Sequence, residues 1–183
     1  MLEAIGGSEA ANVLNGDQLG GIIGAMDPDM LVGAMPPEAL VEAASKMSIE
    51  HFGLIGGEHA AGMFNALGAD QVFAVGGDMV AGMFAAMETE QIAELGASSI
   101  VDAIAAMGID NAIQMGPEDI GEMVGVLGAD EMSSVGGETL IDLSGAMTGE
   151  ALSGLSGDAV SAMLGTMGTQ AAVDNLGGEQ LGG

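Results

Sequence analysis

A single basic side chain, Lys46, faces 27 acids across the 183 residues, and the formal net charge is −26. Nucleic acid is excluded as a partner, because phosphate binding requires lysine and arginine. An anionic membrane surface is disfavoured for the same reason. Cysteine is absent, which removes disulfides, thiolate metal sites and a cysteine nucleophile. Trp and Tyr are absent and Phe occurs four times, so a core must be built from Ala, Val, Leu, Ile and the sixteen Met. No apolar run reaches the roughly 18 residues that read as a membrane span. The opening residues MLEAIGGSEA carry neither a basic nor an apolar signal-peptide region, so no signal peptide is read there. The charge favours cationic partners: divalent metals such as Ca²⁺ or Mg²⁺, or a basic protein. It also keeps a chain soluble.

What is present is a period. Residues 48–167 read as six tandem copies of a 20-residue unit without insertion or deletion. The clearest is 68–87, GADQVFAV followed by GGDMVAGMFAAM. Each unit has a short half of eight residues and a long half of twelve. In the long half the fifth, eighth, ninth and twelfth positions are apolar, as in Val80, Met83, Phe84 and Met87. Spacings of three, four and seven place these on one face of an α-helix. The short half keeps its fifth and eighth positions apolar, as in Val72 and Val75, which predicts a helix of two turns.

Position one is Gly, Ser, Thr, Asp or Glu in most halves, and position two holds Pro28, Pro37 and Pro117. Such residues suit an N-cap and the first helical residue respectively, and Gly also suits the αL residue that ends the preceding helix. Helices this short are unstable alone and must be held by neighbouring repeats. The expected fold is therefore all-α: a solenoid of about eight and a half two-helix repeats. It spans 1–183 as a single array, with irregular repeats at 1–47 and 168–183. The nine-residue short halves 27–35 and 168–176 are where bends are expected. Glycines inside helices, such as Gly62, Gly82, Gly125, Gly145 and Gly165, read equally as close-approach points or as compositional drift.

The third position of almost every half is acidic. The short halves supply Glu9, Asp29, Glu50, Asp70, Glu90, Asp110, Asp130 and Glu150; the long halves supply Asp17, Glu38, Glu58, Asp78, Glu118, Glu138, Asp158 and Glu179. Near a helix start an acid meets free N–H groups and the positive end of the helix dipole, worth about 0.3–1 kcal/mol. A solenoid would also align equivalent acids into ladders. Glu50, Asp70, Glu90, Asp110, Asp130 and Glu150 are thus candidate oxygen ligands for Ca²⁺ or Mg²⁺, although no calcium-loop motif is present.

Other constellations fall away. His51 and His59 lie in different halves with too few ligands around them for zinc. Met26, Met47, Met87, Met107, Met147 and Met167 close long halves, but the column also holds Leu67 and Leu127, which marks a core position filled by an adaptable side chain. Ser and Thr are plentiful, yet no histidine is expected to partner them, so a Ser–His–acid triad is not expected. The Gly-Gly steps lack a following Lys and are flanked by acids, which repel phosphate. No enzymatic activity is expected.

MPPEALVEAASKM (35–47) and MGPEDIGEMVGVL (115–127) resemble the N-terminal superhelical domain of MgtE-type magnesium transporters and the short-helix arrays of the flagellar motor-switch protein FliG. The resemblance implies a right-handed array of short helices and, for the transporters, an acidic cation-sensing domain. Those domains mix Arg and Lys with their acids, which this chain does not. The expected role is structural: a highly acidic rod in an extracellular surface, matrix or filament assembly, associating with itself end to end or side by side. The alternative is a divalent-cation-sensing or protein-binding regulatory module.

Overall fold

The computed structural model describes residues 7–168, which are helical with no strand among them. The piece 1–6, most of the nine-residue half 168–176, and Glu179 lie outside the described residues. The chain divides into two compact units at Gln91/Ile92.

The first unit contains α1 (Gly7–Val13), α2 (Gly16–Ile23), a 3-10 turn (Pro28–Met30), α3 (Leu31–Ala34), α4 (Pro37–Lys46), α5 (Ile49–Ile55), α6 (Gly57–Ala66), α7 (Ala69–Val75) and α8 (Gly77–Ala86). The division falls within α9 (Thr89–Leu95). The second unit contains α10 (Ala97–Met107), α11 (Ile109–Ala112), α12 (Pro117–Val126), α13 (Ala129–Val135), α14 (Gly137–Ala146), α15 (Gly149–Gly154) and α16 (Gly157–Met167). Short and long helices alternate as the eight-plus-twelve period predicts. The half 27–35 breaks the rule: a 3-10 turn and the four residues of α3 stand where the other short halves carry a longer helix. In the second unit α11 is also cut to four residues.

Within each unit a helix recurrently packs on the third one along the chain. In the first, α1 packs on α4, α2 on α5, α3 on α6, α4 on α7 and α5 on α8. In the second, α10 packs on α13, α11 on α14, α12 on α15 and α13 on α16. Long helices also meet the next long helix, as α6 meets α8 and α14 meets α16. A short helix therefore rests on the long helix of the next copy, and a long helix reaches the short helix two copies on. That interleaving supplies the tertiary burial that two-turn helices need.

The apolar columns form the core. Val72, Val80, Met83, Phe84 and Met87 are buried, as are their equivalents Ile92, Ile100, Ala103, Ile104 and Met107. Phe64 and Phe84 meet edge to face with centroids 5.1 Å apart, an arrangement that adds about 0.5–1.5 kcal/mol beyond area burial. Ser144 takes the same column as Phe84 and is fully buried; its Oγ donates to the Ile141 carbonyl of its own helix at 2.9 Å, which satisfies the hydroxyl without a partner across the core.

The connections differ from the expected αL caps. Gly56, Gly76, Gly96 and Gly136 open the long halves with φ between 80° and 99° and ψ between 146° and 163°. That region is the mirror of extended backbone and is essentially open to glycine alone. It lets one residue end a short helix and start the next helix with no loop. Gly116 and Ser156 hold the same place with φ −61° and −66°, so the turn has a second form that accepts a side chain. Pro37 and Pro117 occupy the first helical turn as expected.

The helix glycines separate into two kinds. A Cβ at Gly82 would lie 3.2 Å from Ile49 and Phe52 side-chain atoms, and one at Gly62 would lie 3.4 Å from the Pro28 carbonyl oxygen. Gly145 and Gly165 have nothing within 4 Å. Close approach explains the former and not the latter. The tightest contacts recur at position two of the long half: a Cβ at Gly57 would meet the Ala86 carbonyl oxygen at 2.7 Å, and one at Gly137 the Thr166 carbonyl oxygen at 2.8 Å.

Candidate functional site

The acids come first because they are most numerous. The described third-position acids lie in helix first turns: Glu9, Asp17, Glu38, Glu50, Glu58, Asp70, Asp78, Glu90, Asp110, Glu118, Asp130, Glu138, Glu150 and Asp158. Each is placed to meet the N-terminal N–H groups of its own helix. The six candidate ligands Glu50, Asp70, Glu90, Asp110, Asp130 and Glu150 are all exposed. Among the described residues no group of three or more acids and histidines stands close enough to hold a metal ion. Each of the six stands in the first turn of its own helix.

One acid has a different environment. Asp119, at the third residue of α12, is half-buried, and that burial raises its pKa above the ordinary carboxylate value. The bond from the Gly116 N–H to its Oδ2, at 3.1 Å, works against the rise, and the charges of Glu122 and Glu118 reinforce it.

Asp119 belongs to a recurring device. At the fourth position of several halves a side chain turns back to accept the N–H of the cap residue. Gln18 accepts from Asn15 at 3.2 Å, Gln91 from Glu88 at 2.8 Å and Asp119 from Gly116 at 3.1 Å. Two side chains thus close a capping box at α2, where Asn15 Oδ1 also accepts the Gln18 N–H at 2.9 Å. The signal for it was present in the sequence: Gln18, His51 and Gln91 share one column.

His51 is the variant member, and it joins more than a cap. Its Nδ1 accepts the Ser48 N–H at 2.8 Å and lies 2.8 Å from Ser48 Oγ. A ring nitrogen that accepts an N–H carries no proton itself, so in the neutral ring the proton sits on Nε2. Nε2 donates it to Asp17 Oδ1 of α2 at 2.8 Å. The Asp17 side chain is 88% exposed and the His51 side chain 19%. The expectation that no histidine partners a serine is therefore overturned. Ser48, His51 and Asp17 form one hydrogen-bonded chain. Asp17 is 34 residues from His51, and the packing of α2 on α5 brings the two together, which is why the short motif hid it.

Two further polar links cross between repeats in the same unit. His59 Nε2 donates to the Met26 carbonyl at 2.9 Å. Lys46 Nζ donates to the Ala11 carbonyl and, at 3.1 Å, to the Asn12 carbonyl, and pairs with Glu42 at 3.2 Å. The only basic side chain thus caps the negative end of α1. Both histidines are half-buried and link helices.

No family model and no curated protein matches the chain. No helix among the described residues is long and apolar enough to cross a membrane.

Proposed function

We propose that the chain is a non-enzymatic structural protein: an α-solenoid of about eight and a half two-helix repeats, forming an acidic rod in an extracellular surface, matrix or filament assembly and associating with its own copies end to end or side by side. The observation that carries this reading is the recurrence of one packing rule, helix on third helix, with the same buried columns in copy after copy. The interruptions of the period are two shortened helices, α3 and α11, and polar links between copies in the first unit.

At formal charge −26, like-charge repulsion opposes association at low ionic strength. Screening shortens the range of that repulsion to about 8–10 Å at physiological salt. Electron microscopy and sedimentation across a salt series test the proposal. Strings or fibres at high protein concentration and moderate salt are expected. A dispersed monomer throughout the series refutes self-assembly. Melting curves with millimolar Ca²⁺ or Mg²⁺, matched against Na⁺ at equal ionic strength, separate the cation-sensing alternative: the structural reading predicts equal shifts, and a rise specific to the divalent ion would favour sensing.

A further inference from the structure

The long half carries two apolar ridges. Positions five and nine lie four residues apart and form one; positions eight and twelve form the other. In the six long halves between 36 and 147 all four positions are buried. The first and the last described long halves each bury one ridge only. In 15–26, Leu19 and Ile23 are buried while Ile22 and Met26 are half-buried. In 156–167 the reverse holds: Met163 and Met167 are buried while Val160 and Leu164 are half-buried. The glycines beside the ridges give their direction. A Cβ at Gly121 or Gly125, positions six and ten, would lie 3.2 Å from Ala151 or 3.4 Å from Leu155, both later in the chain. A Cβ at Gly62 or Gly82, position seven, would meet Pro28 and Leu31 or Ile49 and Phe52, all earlier. The five–nine ridge therefore faces the following copy, and the eight–twelve ridge faces the preceding one.

We infer that the chain joins a second copy of itself head to tail: the region that carries Val160 and Leu164 docks on the region of the next molecule that carries Ile22 and Met26. The inference rests on the structural reading above and narrows its two modes of association to one. The internal copies show what fits each ridge, because there the same positions are buried by further repeats of this sequence. The sequence keeps its phase through such a joint. GGEQLGG (177–183) reads as positions one to seven of a long half and MLEAI (1–5) as positions eight to twelve, with Leu181, Met1, Leu2 and Ile5 at the apolar places. A joint between two different faces does not saturate in a dimer; it continues into an open string or closes into a ring. Pairing of like faces side by side would instead set acid against acid at formal −26 for each copy.

The test uses the full chain in sedimentation at moderate salt. Two double variants each spoil one ridge: Ile22→Glu with Met26→Glu, and Val160→Glu with Leu164→Glu. Leu54→Glu with Phe73→Glu adds the same charge at exposed positions off both ridges and is the control. The parent and the control are expected to form species larger than dimers. Each ridge variant alone is expected to stay monomeric with its helix content kept; where a Glu pair lowers helix content, the corresponding Ser pair takes its place. An equal mixture of the two ridge variants has one intact ridge of each kind, so dimers and nothing larger are expected. Ridge variants that associate like the parent, or a mixture that stays monomeric, overturn the head-to-tail joint and leave self-association to another face. A control that fails to associate places the contact on the outer face of the short helices and overturns the joint as well. A parent that stays monomeric throughout overturns the joint and self-assembly together; a marked fall in melting temperature for Val160→Glu with Leu164→Glu would then assign the cover of that ridge to residues 169–183 of the same molecule.

Discussion

The two units use one apolar frame and fasten it differently. In the first, all four Phe, both His and the only Lys of the chain are found. Lys46, His51 and His59 each send a polar bond 33 to 35 residues along the chain. In the second, Asn111, Gln114, Ser133, Ser153 and Thr166 bond to backbone groups three or four residues away. The sixth position of the short half is exposed in both units, apolar at Phe73 and Ile113 and polar at Ser133 and Ser153. The helix-on-third-helix packing is the same in both. Long-range polar links are therefore an addition to the architecture rather than its cause.

If apolar packing carries the frame, a core truncation has the largest effect in either unit. Phe84→Ala is expected to cost about 3–5 kcal/mol, since the ring is fully buried and stands against Phe64. Ile104→Ala, the equivalent in the second unit, lies in the range of about 2–5 kcal/mol, without the additional ring contact. Denaturant unfolding measures each loss, and hydrogen exchange locates it. Protection lost in 7–91 for the first and in 92–168 for the second is expected; a smaller cost for Phe84→Ala than for Ile104→Ala would break the comparison.

Backbone effects come next and carry opposite signs. Gly136→Ala forces a Cβ onto a residue at φ 90° and ψ 150°, at a cost of about 1–3 kcal/mol. Gly165→Ala lies inside α16 with nothing within 4 Å, so the gain in helix propensity, about 1 kcal/mol, stands unopposed. Thermal melting should move down for the first and up for the second. A fall in both would mean that Gly165 has a contact that its surroundings do not show.

The polar links rank below these. Lys46→Met keeps the apolar stem and removes the charged donor from the Ala11 and Asn12 carbonyls. The expected loss is about 1.5 kcal/mol, concentrated as reduced exchange protection in α1. An unchanged α1 would show that the first unit's staples are dispensable, and the difference between the units would shrink to composition.

Much of this was legible from residues alone. The three-four-seven spacing of Val80, Met83, Phe84 and Met87 identified a buried stripe, because burial follows helical periodicity. Third-position acids and Pro37 or Pro117 located helix starts, because those residues answer to free N–H groups. Two things were not legible. Gly76 serves either an αL cap or the mirror-extended turn equally well, since glycine has no side chain to discriminate. The Asp17–His51 contact depends on which helix meets which. A 20-residue period says that neighbours stack, but not that a helix recurrently meets the third one along.

The smallest effect compares the two units at a single atom. The back-reaching acceptor is neutral at Gln18 and Gln91 in the first unit and a half-buried carboxylate at Asp119 in the second. Burial raises the Asp119 pKa, with Glu122 and Glu118 adding to the rise, so the folded state binds that proton more tightly than the unfolded chain. The ionised form is therefore a folding penalty. It is absent at pH below the ordinary carboxylate value, grows as pH rises through the folded pKa and is complete above it. Asp119→Asn gives the second unit the first unit's chemistry, because the amide oxygen still accepts the Gly116 N–H. The variant should melt higher than the parent at neutral pH, and the gap should close as pH falls below the ordinary carboxylate range. A gap that stays constant with pH would place its cause in packing around Asp119 rather than in its charge.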